Sequence, residues 1–269
     1  MVGDSIDNRP IGIFDSGVGG LTVFDKIRQV LPNESLIYVG DTANAPYGGK
    51  NITQLLKYGK DIIKFLQGCD VKAVVMACGT TSSTIYEELV LENPDLPMVD
   101  VIRPGVRACA EMDIKTLGLI ATTATIKSDL FGQLIKEQNP KIDILTQVCP
   151  MFAPMIEAGI IGGTIAKWVV ETYIAKWRGK IDALVFGCTH YPIIKDIVQD
   201  VLGENMHYID LGTHTARKLK TNLEASGTRA GSDNIPRYDY YVSGEATIFV
   251  KTARLLLHED VNVKKVVFD

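Results

Sequence analysis

Residues 71–80 read VKAVVMACGT, and residues 181–190 read IDALVFGCTH. Each stretch is a short apolar run followed by a small residue, a cysteine and polar residues. Runs this short, apolar throughout rather than alternating, are strands covered on both faces, and the polar residues that follow mark a strand-to-helix turn. A second matched pair lies upstream of each: IGIFDSG from Ile11 and LGLIATT from Leu117. The separations within the two halves are 78 − 11 = 67 and 188 − 117 = 71 residues, so the chain reads as two similar units. Further strands are expected at 11–14, 36–39, 73–76, 116–120, 142–145 and 183–186. Helical spacing marks 21–30, 53–66 and 82–91. Strand–loop–helix alternation of this kind predicts α/β architecture with mainly parallel sheets.

In open parallel sheets, ligands bind beyond the carboxyl ends of the strands. The polar clusters of this sequence fall at such ends: Asp15-Ser16, Pro46-Tyr47-Gly48, Cys78-Gly79-Thr80-Thr81, residues 122–125 and Cys188-Thr189-His190. They converge on one cleft only if the two units face each other, which places the expected site between them.

The composition is that of a folded soluble chain: 269 residues, 46% hydrophobic, 22% charged, net charge −4. That balance excludes a disordered chain and gives no positive field for direct nucleic-acid binding. The longest apolar runs are about six residues, far short of a bilayer span of about 20. The opening MVGDSIDNRP lacks the basic start and apolar stretch of a secretory signal, so the expected location is the cytoplasm. Five cysteines at irregular spacing do not form a disulfide framework.

Cys78 and Cys188 are the sharpest feature: buried cysteines are often just small hydrophobes, but these two occupy matched strand ends, where thiols could act. A zinc site needs about four ligands at recognisable spacing, and thiol oxidoreduction favours Cys-x-x-Cys; neither pattern is present. Two thiols on opposite walls of a cleft suit removal and return of a proton across a stereocentre, one as thiolate and the other as thiol. A helix N-terminus after each would favour the thiolate. Asp15 either braces its loop or holds a proton for Cys78, and His190 either packs structurally or serves Cys188. His207, His214 and His258 read as structural or surface residues. The turn DSGVGG fits neither a dinucleotide nor a P-loop fingerprint, but its N–H groups are candidates to receive a carboxylate. Ser16, Thr80, Thr81, Thr122, Thr125 and Thr189 are either helix caps or hydroxyls around a zwitterionic ligand. Glu157 is an isolated acid after an apolar loop.

The segments IGIFDSGVGG, GDTANAPYG, ACGTTSS, ATTATIKS, CPMFAPMIEAG and FGCTHYP together resemble the glutamate racemases of the cofactor-independent aspartate/glutamate racemase superfamily. The resemblance runs in order from residue 11 to about 210 and continues more weakly through YVSG. It implies two pseudo-symmetric α/β domains, here 1–97 with 210–269 and 98–209, with the active site in the cleft between them. It further implies interconversion of L- and D-glutamate for peptidoglycan, with neither pyridoxal phosphate nor metal, and often a homodimer. By that likeness Cys78 and Cys188 are the acid/base thiols, assisted by Asp15 and His190, with Glu157 a further acid. Ser16, Pro46, Tyr47, Gly48, Gly79, Thr80, Thr122, Thr125 and Thr189 would line the substrate pocket.

One departure stands out. The family usually reads Cys-Asn-Thr where this chain has Cys78-Gly79-Thr80. Glycine there is expected to loosen the loop and make the pocket roomier. A lost hydrogen bond to a charged head group would cost about 1.5–3 kcal/mol, roughly 10- to 150-fold in kcat/KM. Two other readings follow: a racemase of aspartate or another amino acid, and a racemase-like or two-lobed binding protein without turnover.

Overall fold

The structure is a computed structural model that describes residues 6–268; the first five residues of MVGDSIDNRP lie outside them. Ten strands run through it: β1 (Ile11–Asp15), β2 (Leu36–Gly40), β3 (Ala73–Met76), β4 (Met98–Asp100), β5 (Thr116–Ala121), β6 (Asp143–Val148), β7 (Ala183–Phe186), β8 (His207–Asp210), β9 (Tyr238–Val242) and β10 (Val263–Lys265). They form two sheets whose pairings are all parallel, in the orders β10-β9-β2-β1-β3-β4 and β6-β5-β7-β8. Strands β1, β2 and β3 are buried along their whole length, as expected for strands covered on both faces.

The duplication is expressed in topology. Within each unit the order is second, first, third, fourth strand, so β2-β1-β3-β4 corresponds to β6-β5-β7-β8. Cys78 and Cys188 follow the equivalent strands β3 and β7, 188 − 78 = 110 residues apart. Asp100 and Asp210, which end β4 and β8, are also 110 apart (210 − 100). Each accepts backbone N–H bonds from the helix that follows, Ile102 and Arg103 onto Asp100, Gly212 onto Asp210. Beyond these aspartates the chain changes lobe. Helix Ile102–Ala110 packs on helix Leu130–Gln138, and helix Leu211–Ser226 packs on helix Leu21–Val30. One apolar core therefore runs through both units, joining Ile13, Tyr38 and Val75 to Leu119, Ala121 and Val185.

The expected boundary between residues 97 and 98 falls just ahead of β4, which pairs with β3 in the six-stranded sheet. The boundary at 209/210 falls inside β8, in the four-stranded sheet. The helix expected at 82–91 is instead two, Gly79–Thr84 and Tyr86–Glu92, separated at Ile85 with φ −130°. Ser83 and Thr84 both donate hydroxyl bonds back to the Thr80 carbonyl, the kind of competition that bends a helix.

A buried ion pair fixes the chain entry. Lys72 Nζ lies 2.6 Å from Glu34, with side chains 1% and 2% exposed. The ammonium also donates to the carbonyls of Asp7 and Thr228, at 2.6 and 2.8 Å, and Glu34 accepts the N–H of Ala230 at 2.8 Å. The pair thus clamps the segments around residues 7 and 229 beneath the sheet. Removing one partner leaves an uncompensated buried charge, so Lys72→Met should lower stability by about 3–5 kcal/mol. Urea unfolding measures this, and a loss below about 1 kcal/mol would assign the pair no structural role.

Candidate active site

Cys78 and Cys188 come together from opposite lobes around one small cavity of about 30 Å³. They are 5% and 9% exposed. Cys78 caps the six-residue helix Gly79–Thr84 and lies 3.9 Å from the Ser16 hydroxyl. Burial, and then the charge of Asp15, push its thiol up to about 12 despite the N–H groups of Thr80 and Thr81. The helix end therefore does not hold Cys78 as a thiolate, contrary to the expectation from its position. Cys188 is followed by a 3₁₀ turn, Tyr191–Ile194, rather than an α-helix N-terminus. Its escort is His190, with Nδ1 3.7 Å from the sulfur.

His190 is buried, and its other nitrogen, Nε2, lies 3.0 Å from Glu157 Oε1. Burial opposes the protonated ring, but the contacts to Cys188 and Glu157 outweigh it, so its pKa is raised well above the usual histidine value. Glu157 is the last residue of helix Phe152–Glu157, its side chain 30% exposed. It reaches into the site rather than only into solvent.

Asp15 has no exposed surface. Its Oδ2 accepts the N–H groups of Gly17 and Gly20 at 3.0 and 3.1 Å, and its Oδ1 accepts the Thr189 hydroxyl at 3.3 Å. The turn DSGVGG thus wraps around its own aspartate, so these two N–H groups are already occupied and do not await a ligand carboxylate. Asp15 stands behind the cavity wall, together with Thr125, whose hydroxyl meets Thr122 at 3.1 Å.

Of the other residues singled out in the sequence, Ser16, Pro46, Tyr47, Gly48, Gly79, Thr80, Thr122, Glu157, Thr189 and His190 line the cavity, whereas Thr81 does not: its hydroxyl donates to the Cys78 carbonyl at 3.0 Å. Thr80 and Thr122 meet hydroxyl to hydroxyl across the lobes at 3.1 Å. Ala153 and Gly187 also line the wall, and no polar or nucleophilic signal marked either in the sequence. Gly79 does not leave extra room. A Cβ there would lie 2.4 Å from the Gly187 carbonyl oxygen, so the space is taken by the opposite backbone.

Asp41 is a further residue that the sequence reading passed over, although it sits inside GDTANAPYG. It is fully buried and accepts hydrogen bonds from Asn44, from the Ser243 hydroxyl at 2.6 Å and from the Tyr47 hydroxyl. This carboxylate holds the loop that carries Pro46, Tyr47 and Gly48, and ties it to the end of β9. Among the described residues, no three His, Cys, Asp or Glu side chains converge as a metal ion requires, and no helix is long and apolar enough to cross a membrane.

A profile of the Asp/Glu/Hydantoin racemase family matches residues 11–219. The chain belongs to that family. It is 38% identical to glutamate racemase of Streptococcus thermophilus over 268 residues, 98% of each chain. It is 35% identical to glutamate racemase of Streptococcus pneumoniae, over 97% of this chain and 99% of that one. The crystal structure of glutamate racemase from Francisella tularensis in complex with D-glutamate superposes with a TM-score of 0.91, at 34% identity, covering 98% and 99% of the two chains. These racemases share the two-lobed α/β fold described above.

Two outcomes follow for this racemase-family site. Glu157→Gln should lower the His190 pKa, read from the ring resonances in a proton NMR titration. A raised folded pKa contributes stability that is full below the unfolded value of about 6.5 and is lost as pH rises through the folded value. The variant should therefore lose most stability at acid pH; an unmoved His190 titration would remove Glu157 from the network. Tyr47→Phe deletes a donor to the buried Asp41 carboxylate and should cost about 1.5–3 kcal/mol in thermal or urea unfolding. No loss would mean that Asp41 does not hold this loop through Tyr47.

Proposed function

We propose that this chain interconverts L- and D-glutamate by passing the α-proton between Cys78 and Cys188. The observation that carries the reading is the pair of buried thiols on opposite walls of one cavity, each with its own polar escort. Glutamate as substrate is supported by the names of the relatives at 35–38% identity over nearly the whole chain, and by the D-glutamate complex of the Francisella tularensis enzyme.

The electrostatics distinguish the two thiols. With its pKa near 12, Cys78 carries its proton at neutral pH and is the donor to one face of the substrate's α-carbon. A protonated His190 supplies the cation that a Cys188 thiolate would face as it takes the proton from the other face. Cys188 ends as the thiol and Cys78 as the thiolate, and the opposite enantiomer runs the exchange backwards. Asp15 and Glu157 act through Cys78 and His190. Ser16, Pro46, Tyr47, Gly48, Gly79, Thr80, Thr122, Thr125 and Thr189 shape the pocket for the amino acid.

An α-proton is far less acidic than a thiol, so a base alone does not account for turnover. The developing carbanion spreads its charge into the carboxylate, and preorganised hydroxyl and N–H donors in a dry cleft are the means of stabilising it. In keeping with the family resemblance, the reading needs neither pyridoxal phosphate nor metal. It places the enzyme in the cytoplasm as a homodimer, supplying D-glutamate for peptidoglycan, and its two domains are the lobes built on the two sheets.

Proton NMR in D2O tests the reading with the purified protein and no added cofactor. L-Glutamate should lose its α-proton signal while D-glutamate accumulates, and L-aspartate should not. Cys78→Ser and Cys188→Ser should each lower racemisation by about 10²- to 10⁴-fold. Exchange with aspartate alone would change the substrate, and normal racemisation by both variants would end the two-thiol mechanism.

A further inference from the structure

Three glycines of the first lobe meet atoms of the second so closely that a side chain would clash at two of them and be tightly squeezed at the third. A Cβ on Gly79 would lie 2.4 Å from the Gly187 carbonyl oxygen. One on Gly19 would lie 2.3 Å from His190 Nδ1, and one on Gly48 would lie 3.0 Å from Thr122 Cβ. None of the three has a positive φ, whereas five other glycines do. What these positions use is therefore the missing Cβ and not the backbone freedom of glycine. Gly49, the neighbour of Gly48, has nothing within 4 Å of its own Cβ position, so the close contact is specific to the residues on the seam.

Gly79 occupies the decisive place. It follows Cys78, and Gly187 precedes Cys188, so the segments bearing the two thiols touch backbone to backbone. Gly187 is itself held from behind, because a Cβ on it would meet Ala121 Cβ and Leu119 Cδ1, each at 2.9 Å. The Gly187 wall therefore has little room to retreat. The space left between them, about 30 Å³, is that of two or three waters at about 10–15 Å³ each. Any side chain at 79 must push the thiol-bearing walls apart, since a carbonyl oxygen in a packed turn cannot step aside as the tip of a flexible side chain does.

We propose that Gly79 is a positioning residue: its missing side chain sets how closely the Cys78 and Cys188 segments approach. Gly48 and Gly19 are further points of the same steric seam. The kinetic consequence rests on the racemase reading above; the steric consequence does not.

The test compares full-length wild type with Gly79→Ala, Gly48→Ala and Gly49→Ala. Iodoacetamide labelling of each cysteine is followed by peptide mass spectrometry, with Cys109, fully buried in the core, as the folding control. Forcing a methyl group into a packed contact should raise labelling of Cys78 and Cys188 in Gly79→Ala by about tenfold, with Cys109 unchanged. Gly48→Ala should move both in the same direction by less, and Gly49→Ala should leave them as in wild type. With α-deuterated glutamate, Gly79→Ala should show a lower kcat and a larger isotope effect, because wider thiol separation makes proton transfer more rate-limiting. Unchanged labelling of both thiols in Gly79→Ala and Gly48→Ala overturns the proposal and leaves the racemase reading intact. The expected labelling in a protein that does not racemise glutamate supports the seam and overturns the racemase reading. If Cys109 labelling also rises in Gly79→Ala, the milder Gly48→Ala decides.

Discussion

Asp15 is a carboxylate with no exposed surface, and it takes hydrogen bonds from neutral donors in three places at once. Two are the N–H groups of Gly17 and Gly20, so the glycine turn closes around the carboxylate and helix Leu21–Val30 starts where it does. The third is the hydroxyl of Thr189, which belongs to the opposite lobe and neighbours Cys188. The same charge, set in a dry site, acts together with burial to keep Cys78 protonated. One buried acid thus shapes a turn, joins the lobes and adds to the burial that keeps a thiol protonated. Losing it would leave buried donors unpaired on both sides of the cleft.

The two halves share a topology, yet their thiols do not share an environment. On the first wall, burial and a nearby carboxylate act against charge at Cys78. On the second, the imidazole of His190, held by Glu157, stands beside Cys188. A symmetric frame with unequal electrostatics suits a reaction in which one thiol must hold a proton when the other does not. The duplication supplies two equivalent strand ends, and local substitutions around them supply the difference.

Much of this was legible in the residues. The strands over 73–76 and 183–186 stand where the apolar runs put them, because a strand covered on both faces has no polar position to blur it. Polar clusters at strand ends located the cavity walls, since a parallel sheet leaves only its carboxyl edge for ligands. Strands β4, β8, β9 and β10 were not legible. They are short or half-exposed, and MVD, HYID or VKK carry no run long enough to separate from a loop. The break at Ile85 also escaped, because it depends on hydroxyls turning back to a carbonyl and not on any helix-breaking residue.

The sequence by itself determined the class of fold, the repeat and the two cysteines, because each is written in local patterns of apolar and polar residues. Only the tertiary structure decided what those residues face. Position at a helix start argued for a Cys78 thiolate, and burial beside Asp15 argues the reverse. A glycine at 79 read as added room, and the carbonyl of Gly187 fills that room. Asp41 looked like one polar residue of a loop, and it collects donors from residues up to 202 positions away. Burial, charge proximity and close contact are sums over neighbours distant in sequence, so they exist only once the chain has folded.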